Sequence, residues 1–308
     1  MSVIGIDTSN YTTSIAWFDG TTGDNYSRLL PVKQGELGLR QSDAVFAHIK
    51  SLPELSGRLF SNMEKQQSIT AVGVSTRPRA VEGSYMPCFM VGYSHGKLLA
   101  DALGVPLIEV SHQQGHVAAS LWSAEHMELM DQPHLAWHLS GGTTELLLVE
   151  PEGKNVKCTK IGGTTDISAG QLIDRTGQLL NLPFPSGKTL DALSKQGQRK
   201  DVFKVKCSNM EFSLSGVQNK VQQYHSMHND DAETAAYTLR CVAQAVFTAT
   251  EQARKAYPGL RVVFSGGVAS NSMLRSVIAP LNPIFSEPQF STDNAMGVAV
   301  LTYRAMEE

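Results

Sequence analysis

The chain has 308 residues, 42% of them apolar and 18% charged, with a net charge of −3. That is enough for two lobes or one large domain, and it excludes both a disordered chain and a globally basic binder of nucleic acid. Any nucleic acid must therefore meet a local patch or a partner's surface. In chain order, VIGID (3–7) predicts a strand, TSNYTTS a hydroxyl-rich turn and IAWFDG (15–20) a second strand. Helical patterns follow at 42–66 and 87–104, with the strand AVGVS (71–75) between them. VPLIEV (105–110) reads as a strand leading into SHQQGHVAAS (111–120). HLAWHLS (134–140), GGTTE and LLLVEPEG (146–153) repeat the strand–turn–strand unit of the N-terminus. Helices are expected at 167–182, which runs into the turn PFPSGK, in the second part of 211–224, and at 231–256. RVVFS (261–265) is a strand whose glycine turn opens a helix, and STDNA (291–295) precedes an apolar C-terminal helix.

A hairpin with a small, polar tip, met twice, predicts a duplicated α/β lobe. The expected division is a first lobe at 1–111, with a helix at 293–308 packing back on it, and a second at 112–292. A ligand would sit in the cleft between them. Cys88, Cys158, Cys207 and Cys241 show no CxxC spacing, which predicts a reducing cytoplasm. No run approaches the ~20 apolar residues of a membrane span, and SVIGID shows no secretory n- or h-region. The expectation is a cytoplasmic protein with no membrane partner.

His112 and His116 stand four apart, which on a helix points both imidazoles one way and offers two nitrogens to one metal. Gln113 stands where an HExxH zinc protease needs its general-base Glu, which argues against that mechanism. A carboxylate should complete the set. Asp293 is the choice, although a residue there would also serve as a helix N-cap. SGGTT (140–144) and SGGVASN (265–271) each follow an apolar strand and offer backbone N–H groups to an anion. Asp174 would either accept from a ribose or base or be a solvated helix carboxylate. His138 shares a strand face with Ser140 and is either a buried, hydrogen-bonded histidine or an extra ligand. Arg77 and Arg79 form either a solvated loop or an anion clamp.

VSHQQGH (110–116), LSGGTTEL (139–146), DISAGQLIDRTGQLLNLPFPSGKTLD (166–191), FSLSGVQ (212–218), SGGVASN and STDNA, in that order, resemble the TsaD family. The family was once taken for O-sialoglycoprotein endopeptidases (peptidase M22, glycoprotease-like). The resemblance implies an α/β fold of two duplicated actin/sugar-kinase-like (ribonuclease H-like, ASKHA) lobes around a central cleft. It implies metal-dependent transfer of a threonylcarbamoyl group from threonylcarbamoyl-adenylate to N6 of adenine 37 in tRNA. It implies His112, His116 and Asp293 as ligands of one divalent metal, Fe2+ or Zn2+. Leu139, Ser140, Gly141, Gly142 and Thr143 would hold the acyl-adenylate, an AMP/ATP-like ligand, with Asp174, Gly187 and Asp191 around its ribose and base and Asn271 also touching it. TsaB-like and TsaE-like helpers are implied, or a second copy of the chain, docking on the helix at 42–66.

The first loop departs from the family pattern: Asp7 replaces Glu, and Tyr11 and Thr12 stand where carboxylates are expected. TRPRAVEGSYMP replaces a Gly-Pro-Gly loop, and SGGTT replaces SGGHT. These changes leave two alternatives to tRNA modification. One is a paralogue acting as a carbamoyltransferase or ATPase on another substrate, the other a non-catalytic nucleotide-binding subunit.

Overall fold

A computed structural model describes residues 1–9, 11–31, 39–63 and 68–307. The elements are β1 Ser2–Asp7, β2 Thr12–Phe18, β3 Gly23–Leu29, α1 Gln41–Asn62, β4 Ile69–Arg77, α2 Phe89–Leu103, β5 Leu107–Ser111 and α3 His112–Ser123. Then come β6 His134–Leu139, β7 Thr144–Glu152, β8 Asn155–Thr164, α4 Ala169–Leu179, α5 Gly187–Ser194, β9 Cys207–Ser208 and β10 Glu211–Phe212. The chain closes with α6 Ser215–His228, α7 Asp231–Ala256, β11 Val262–Ser265, α8 Ser272–Ile278, β12 Ile284–Phe285 and α9 Met296–Met306. No helix among the described residues is long and apolar enough to cross a membrane.

Two compact units emerge. The first takes Met1–Gln132, Glu150–Cys158 and Asp293–Glu308, the second Pro133–Val149 and Thr159–Thr292. The division expected after residue 111 falls instead after Gln132. The reason is that α3 follows β5 without a break and packs on α9, so it belongs to the first unit.

The first unit holds a sheet of order β3-β2-β1-β4-β5. β1 is antiparallel to β2 and parallel to β4, and β4 is parallel to β5. Side chains alternate across a strand. Ile4 and Ile6 of β1, with Val72 and Val74 of β4, therefore pack against Leu52, Leu55 and Leu59 of α1 and Ala100 of α2. Gly5 and Gly73 point the other way: a Cβ on Gly5 would strike the backbone of Ala299 and one on Gly73 the Thr302 side chain, so these glycines let α9 lie close on the sheet. Each fully buried leucine is worth about 2 kcal/mol in apolar transfer. The helix expected at 42–66 is α1; positions 64–66, and Asn10 of the first loop, lie outside the described residues.

The second unit carries the sheet β12-β11-β6-β7-β8-β10-β9. Its stretch β8-β7-β6-β11-β12 repeats the order β3-β2-β1-β4-β5, with β6 antiparallel to β7 and parallel to β11. The duplicated hairpin thus marks a duplicated sheet. Trp137 of β6 is wholly buried and donates to Thr250 Oγ1 of α7 at 2.9 Å, which satisfies the one polar atom of its ring. The helix expected at 167–182 stops at Leu179, because Asn181 takes a left-handed φ of 54° and Pro183 follows. A short helix, α5, starts at the end of the PFPSGK turn, where no helix was expected.

Candidate functional site

The metal candidates lie in the first unit. Ser111 caps α3: its hydroxyl accepts from Gln114 N at 3.2 Å, and Gln114 Oε1 accepts from Ser111 N at 2.9 Å. This reciprocal box starts the helix at His112, so His112 and His116 project from its first turns. Asp293 lies just before α9, whose N-cap is Ala295. The N-cap alternative for Asp293 therefore does not apply. The turn is pinned where Ala295 N donates to Asn25 Oδ1 at 2.9 Å. Gly297 meets Gly115 so closely that a Cβ would overlap the Gly115 carbonyl, and that close approach sets α9, and Asp293 with it, against α3.

His116 Nε2 lies 3.0 Å from His112 Nε2 and 3.1 Å from Asp293 Oδ1, and His112 Nε2 lies 3.5 Å from the same oxygen. Ligand atoms bound at ~2.1 Å to one ion stand about 3.0–3.4 Å apart in octahedral or tetrahedral geometry, so this triangle fits the edge of a coordination shell. Among the described residues these three side chains form the one such group, and it does not include His138.

Behind the triangle stands Asp7, the last residue of β1 and 1% exposed. Its Oδ2 is 2.7 Å from His112 Nδ1, and its Oδ1 accepts from Ser9 N at 2.8 Å. A carboxylate on the far nitrogen places the His112 proton on Nδ1 and frees Nε2 as a ligand. Sequence reasoning noted Asp7 only as a departure from Glu. A carboxylate closing a central strand was the signal available. Burial alone would raise the Asp7 pKa, yet the His112 ring outweighs it and holds the group below the ordinary range. Burial would lower the His112 pKa, but Asp7 and Asp293 push it up to about 10. Asp293 is held well below the ordinary range, against burial, by hydrogen bonds with His112 and His116.

The other predicted residues, Arg77 and Arg79 apart, lie in the second unit. Ser140 N donates to Thr143 O at 2.8 Å and Thr143 N to Ser140 Oγ at 3.1 Å, which closes the turn around exposed Gly141 and Gly142. Ser168, the N-cap of α4, donates through Oγ to Gly141 O at 2.6 Å, so the turn sits at a helix N-terminus. Half-buried Asp174 accepts from Ser186 N at 2.8 Å, and burial raises its pKa. Gly187 follows, with open space where a Cβ would be. Asp191 Oδ1 accepts from Asn271 Nδ2 at 2.7 Å and from Ser272 N and Oγ at 3.0 and 2.9 Å. Asn271 also accepts from Leu274 N at 3.0 Å as the cap of α8, so both arms of its amide are engaged. His138 is half-buried on β6, opposite Glu145. In the first unit, Arg77 ends β4 half-buried and Arg79 is exposed beyond it.

The family model described as "TsaD: tRNA N6-adenosine threonylcarbamoyltransferase" matches residues 35–300. The chain belongs to the TsaD family. It is 31% identical over 268 residues to the tRNA N6-adenosine threonylcarbamoyltransferase of Carboxydothermus hydrogenoformans, covering 83% of this chain and 77% of that protein. It is 34% identical over 224 residues to the Streptococcus suis protein of the same name, covering 69% of this chain and 62% of that one. The fold is of the actin/sugar-kinase type. Full-length HypF in its phosphate- and nucleotide-bound form superposes with TM-score 0.65 at 14% identity, over 99% of this chain and 47% of that one. A ROK hexokinase from Thermus thermophilus does so with TM-score 0.54 at 14% identity, over the whole of both chains.

Proposed function

We propose that this chain carries out the reaction named for the TsaD family, transfer of threonylcarbamoyl from its adenylate to N6 of adenine 37 in tRNA, with a divalent ion held by His112, His116 and Asp293. The N6 amine attacks the carbamoyl carbon and gives up one proton to solvent, the new C–N bond forms, the C–O bond to phosphate breaks and AMP leaves. The observation that carries the reading is the ligand triangle backed by Asp7. Two imidazoles and one carboxylate suit Fe2+ or Zn2+. Bound there, the ion supplies Lewis-acid stabilisation of charge developing on the acyl phosphate. Asp7 fixes the His112 tautomer, and Asp293, 26% exposed at its side chain, leaves one side of the set open.

The turn Leu139–Thr143 and the N-terminus of α4 would hold the anionic part of the adenylate. Asp174 would meet its ribose through Oδ2, and Asp191 and Asn271 would act as a pair that lashes α5 to α8 around it. Arg77 and Arg79 remain anion contacts, and His138 a further candidate at the loop. A TsaB-like or TsaE-like helper, or a second copy, would dock on α1, where Phe46, Ile49 and Phe60 are 60%, 48% and 41% exposed. The setting is the cytoplasm, with tRNA.

The test is metal content and AMP binding of the purified protein beside His112→Ala/His116→Ala, followed by transfer of labelled threonylcarbamoyl to tRNA in the presence of helpers. Stoichiometric metal in the unaltered protein only, with labelled tRNA, supports the reading. Equal transfer by the metal-free variant sinks it.

A further inference from the structure

Residues 195–206, KQGQRKDVFKVK, contain five cations and one carboxylate, whereas the whole chain has 26 Lys and Arg among 308 residues. The part from Gln198 to Lys206 has no regular secondary structure, yet it is tied down along its length. The N–H groups of Gln198 and Arg199 donate to Glu233 of α7 at 2.9 and 3.1 Å. Phe203 N donates to Cys241 Sγ at 3.2 Å, and Arg240 Nη1 donates to Asp201 O at 2.9 Å. Val202, Phe203 and Val205 are half-buried against the core of the second unit. Lys204 and Lys206 alternate with them and are exposed, as is Lys200.

Lys195 meets Asp191 at 3.5 Å and the Arg199 guanidinium lies 3.3 Å from His228 Nδ1, but the other cations of this strap are unopposed. Its one acid, Asp201, accepts from Tyr224 OH at 3.0 Å. Lys200, Lys204 and Lys206 make no hydrogen bond or ion pair among the described residues. Lys220 of α6, whose Nζ donates to the neutral Gln223 Oε1 at 3.3 Å, lies beside them, 5.9 Å from the centre of the Phe203 ring. Some exposed cations elsewhere do face acids: Arg28 meets Glu54 and Lys97 meets Asp101. A merely solvated face would mix its signs in the same way. A fixed row of unpaired cations is instead a track for a polyanion, since each phosphate it neutralises releases condensed counterions.

We propose that the strap 199–206, with Lys220, binds the sugar–phosphate backbone of the tRNA substrate. The contact is electrostatic and blind to base identity, and it supplies the local positive surface that a chain of net charge −3 needs. It rests on the tRNA reading above.

The experiment is binding of the full chain to unmodified tRNA at several salt concentrations. It compares the unaltered protein with Lys200→Ala/Lys204→Ala/Lys206→Ala, the same three changed to Arg, and a control of equal charge change, Lys154→Ala/Lys157→Ala/Lys255→Ala. The strap alanine variant should bind about tenfold more weakly, and the slope of log affinity against log salt should fall by about 2 to 3. The arginine variant and the control should keep affinity and slope, and metal content and AMP affinity should be unchanged in all four. Unaltered affinity and slope in the strap alanine variant overturn the proposal while leaving the transferase reading intact. So does absence of tRNA binding by the unaltered chain, because metal and AMP binding are read separately. Equal weakening in the control also overturns it, because the effect would then be one of net charge.

Discussion

In the first unit the candidate site is made of side chains: two imidazoles and a carboxylate converge, and Asp7 stands behind one of them. The second unit's own candidate site is mostly backbone: exposed Gly141 and Gly142, a helix N-terminus at Ser168 and open space over Gly187. The difference decides how each fails. A side-chain site is lost when atoms are removed, and a backbone site when atoms are added. His116→Ala gives the largest expected effect. It removes the nitrogen shared by both other ligands, so metal should be lost and transfer should fall about a thousandfold, the equivalent of several kcal/mol of Lewis-acid stabilisation. Metal analysis and single-turnover transfer check it; a variant that loses the metal and keeps the rate would break the comparison at its first term.

Asp7→Asn tests whether the side-chain site needs its supporting carboxylate. The amide cannot hold His112 in the tautomer that frees Nε2, so metal affinity should fall about 10- to 100-fold with the three ligands intact. The same geometry sets a pH dependence. Burial disfavours the His112 cation, but Asp7 and Asp293 raise its pKa to about 10, so at neutral pH the metal-free site carries a proton that the ion must displace. Apparent metal affinity should therefore rise with pH, about tenfold per unit below 10 for one proton released. Calorimetry in two buffers of different ionisation enthalpy measures that proton; a count of zero would contradict the assignment.

Gly170→Ala asks the opposite question of the second unit. A Cβ there would press on Gly141 and the Ser140 carbonyl, while one on Gly142 meets nothing within 4 Å. Gly170→Ala should weaken AMP binding about tenfold, ~1.4 kcal/mol, with metal content unchanged, and Gly142→Ala should do little. Equal losses in the two variants would mean that the turn is not held by the close approach of α4.

The same division explains what could be read in advance. The His112/His116 spacing and the Gly-Gly turns are local, and so is the repeated hairpin, which surfaced as two sheets of the same order. The Asp7–His112 contact spans 105 positions and rests on β1 and β5 lying on either side of β4, which periodicity does not encode. The edge strand β3, GDNYSRL, lacks an apolar run because three of its seven residues are exposed and none is fully buried. The lobe boundary was misplaced because α3 looks like the start of a new unit until its packing on α9 is known.

A last comparison sets two carboxylates side by side. Asp7 is buried and serves one histidine, whereas Asp166 is exposed and gathers a loop. Asp166 accepts from the Ser213 and Ser215 hydroxyls at 2.5 and 2.6 Å and from Leu214 N and Ile167 N, each at 2.8 Å. Burial is the largest single influence and opposes its charge, but these donors together hold its pKa far below the ordinary value. Water competes for an exposed group, so Asp166→Ala should cost only about 1 kcal/mol, the worth of a helix cap. A depressed pKa stabilises the fold above the unfolded value, near 4, and that contribution is lost as pH falls below it. The Asp166→Ala variant should therefore differ from the unaltered protein at pH 7 and converge with it on acidification. Thermal melts at the two pH values check this. A gap that does not narrow at all between pH 7 and pH 2 would mean that Asp166 acts through packing, as a neutral residue would, and its likeness to Asp7 would end there.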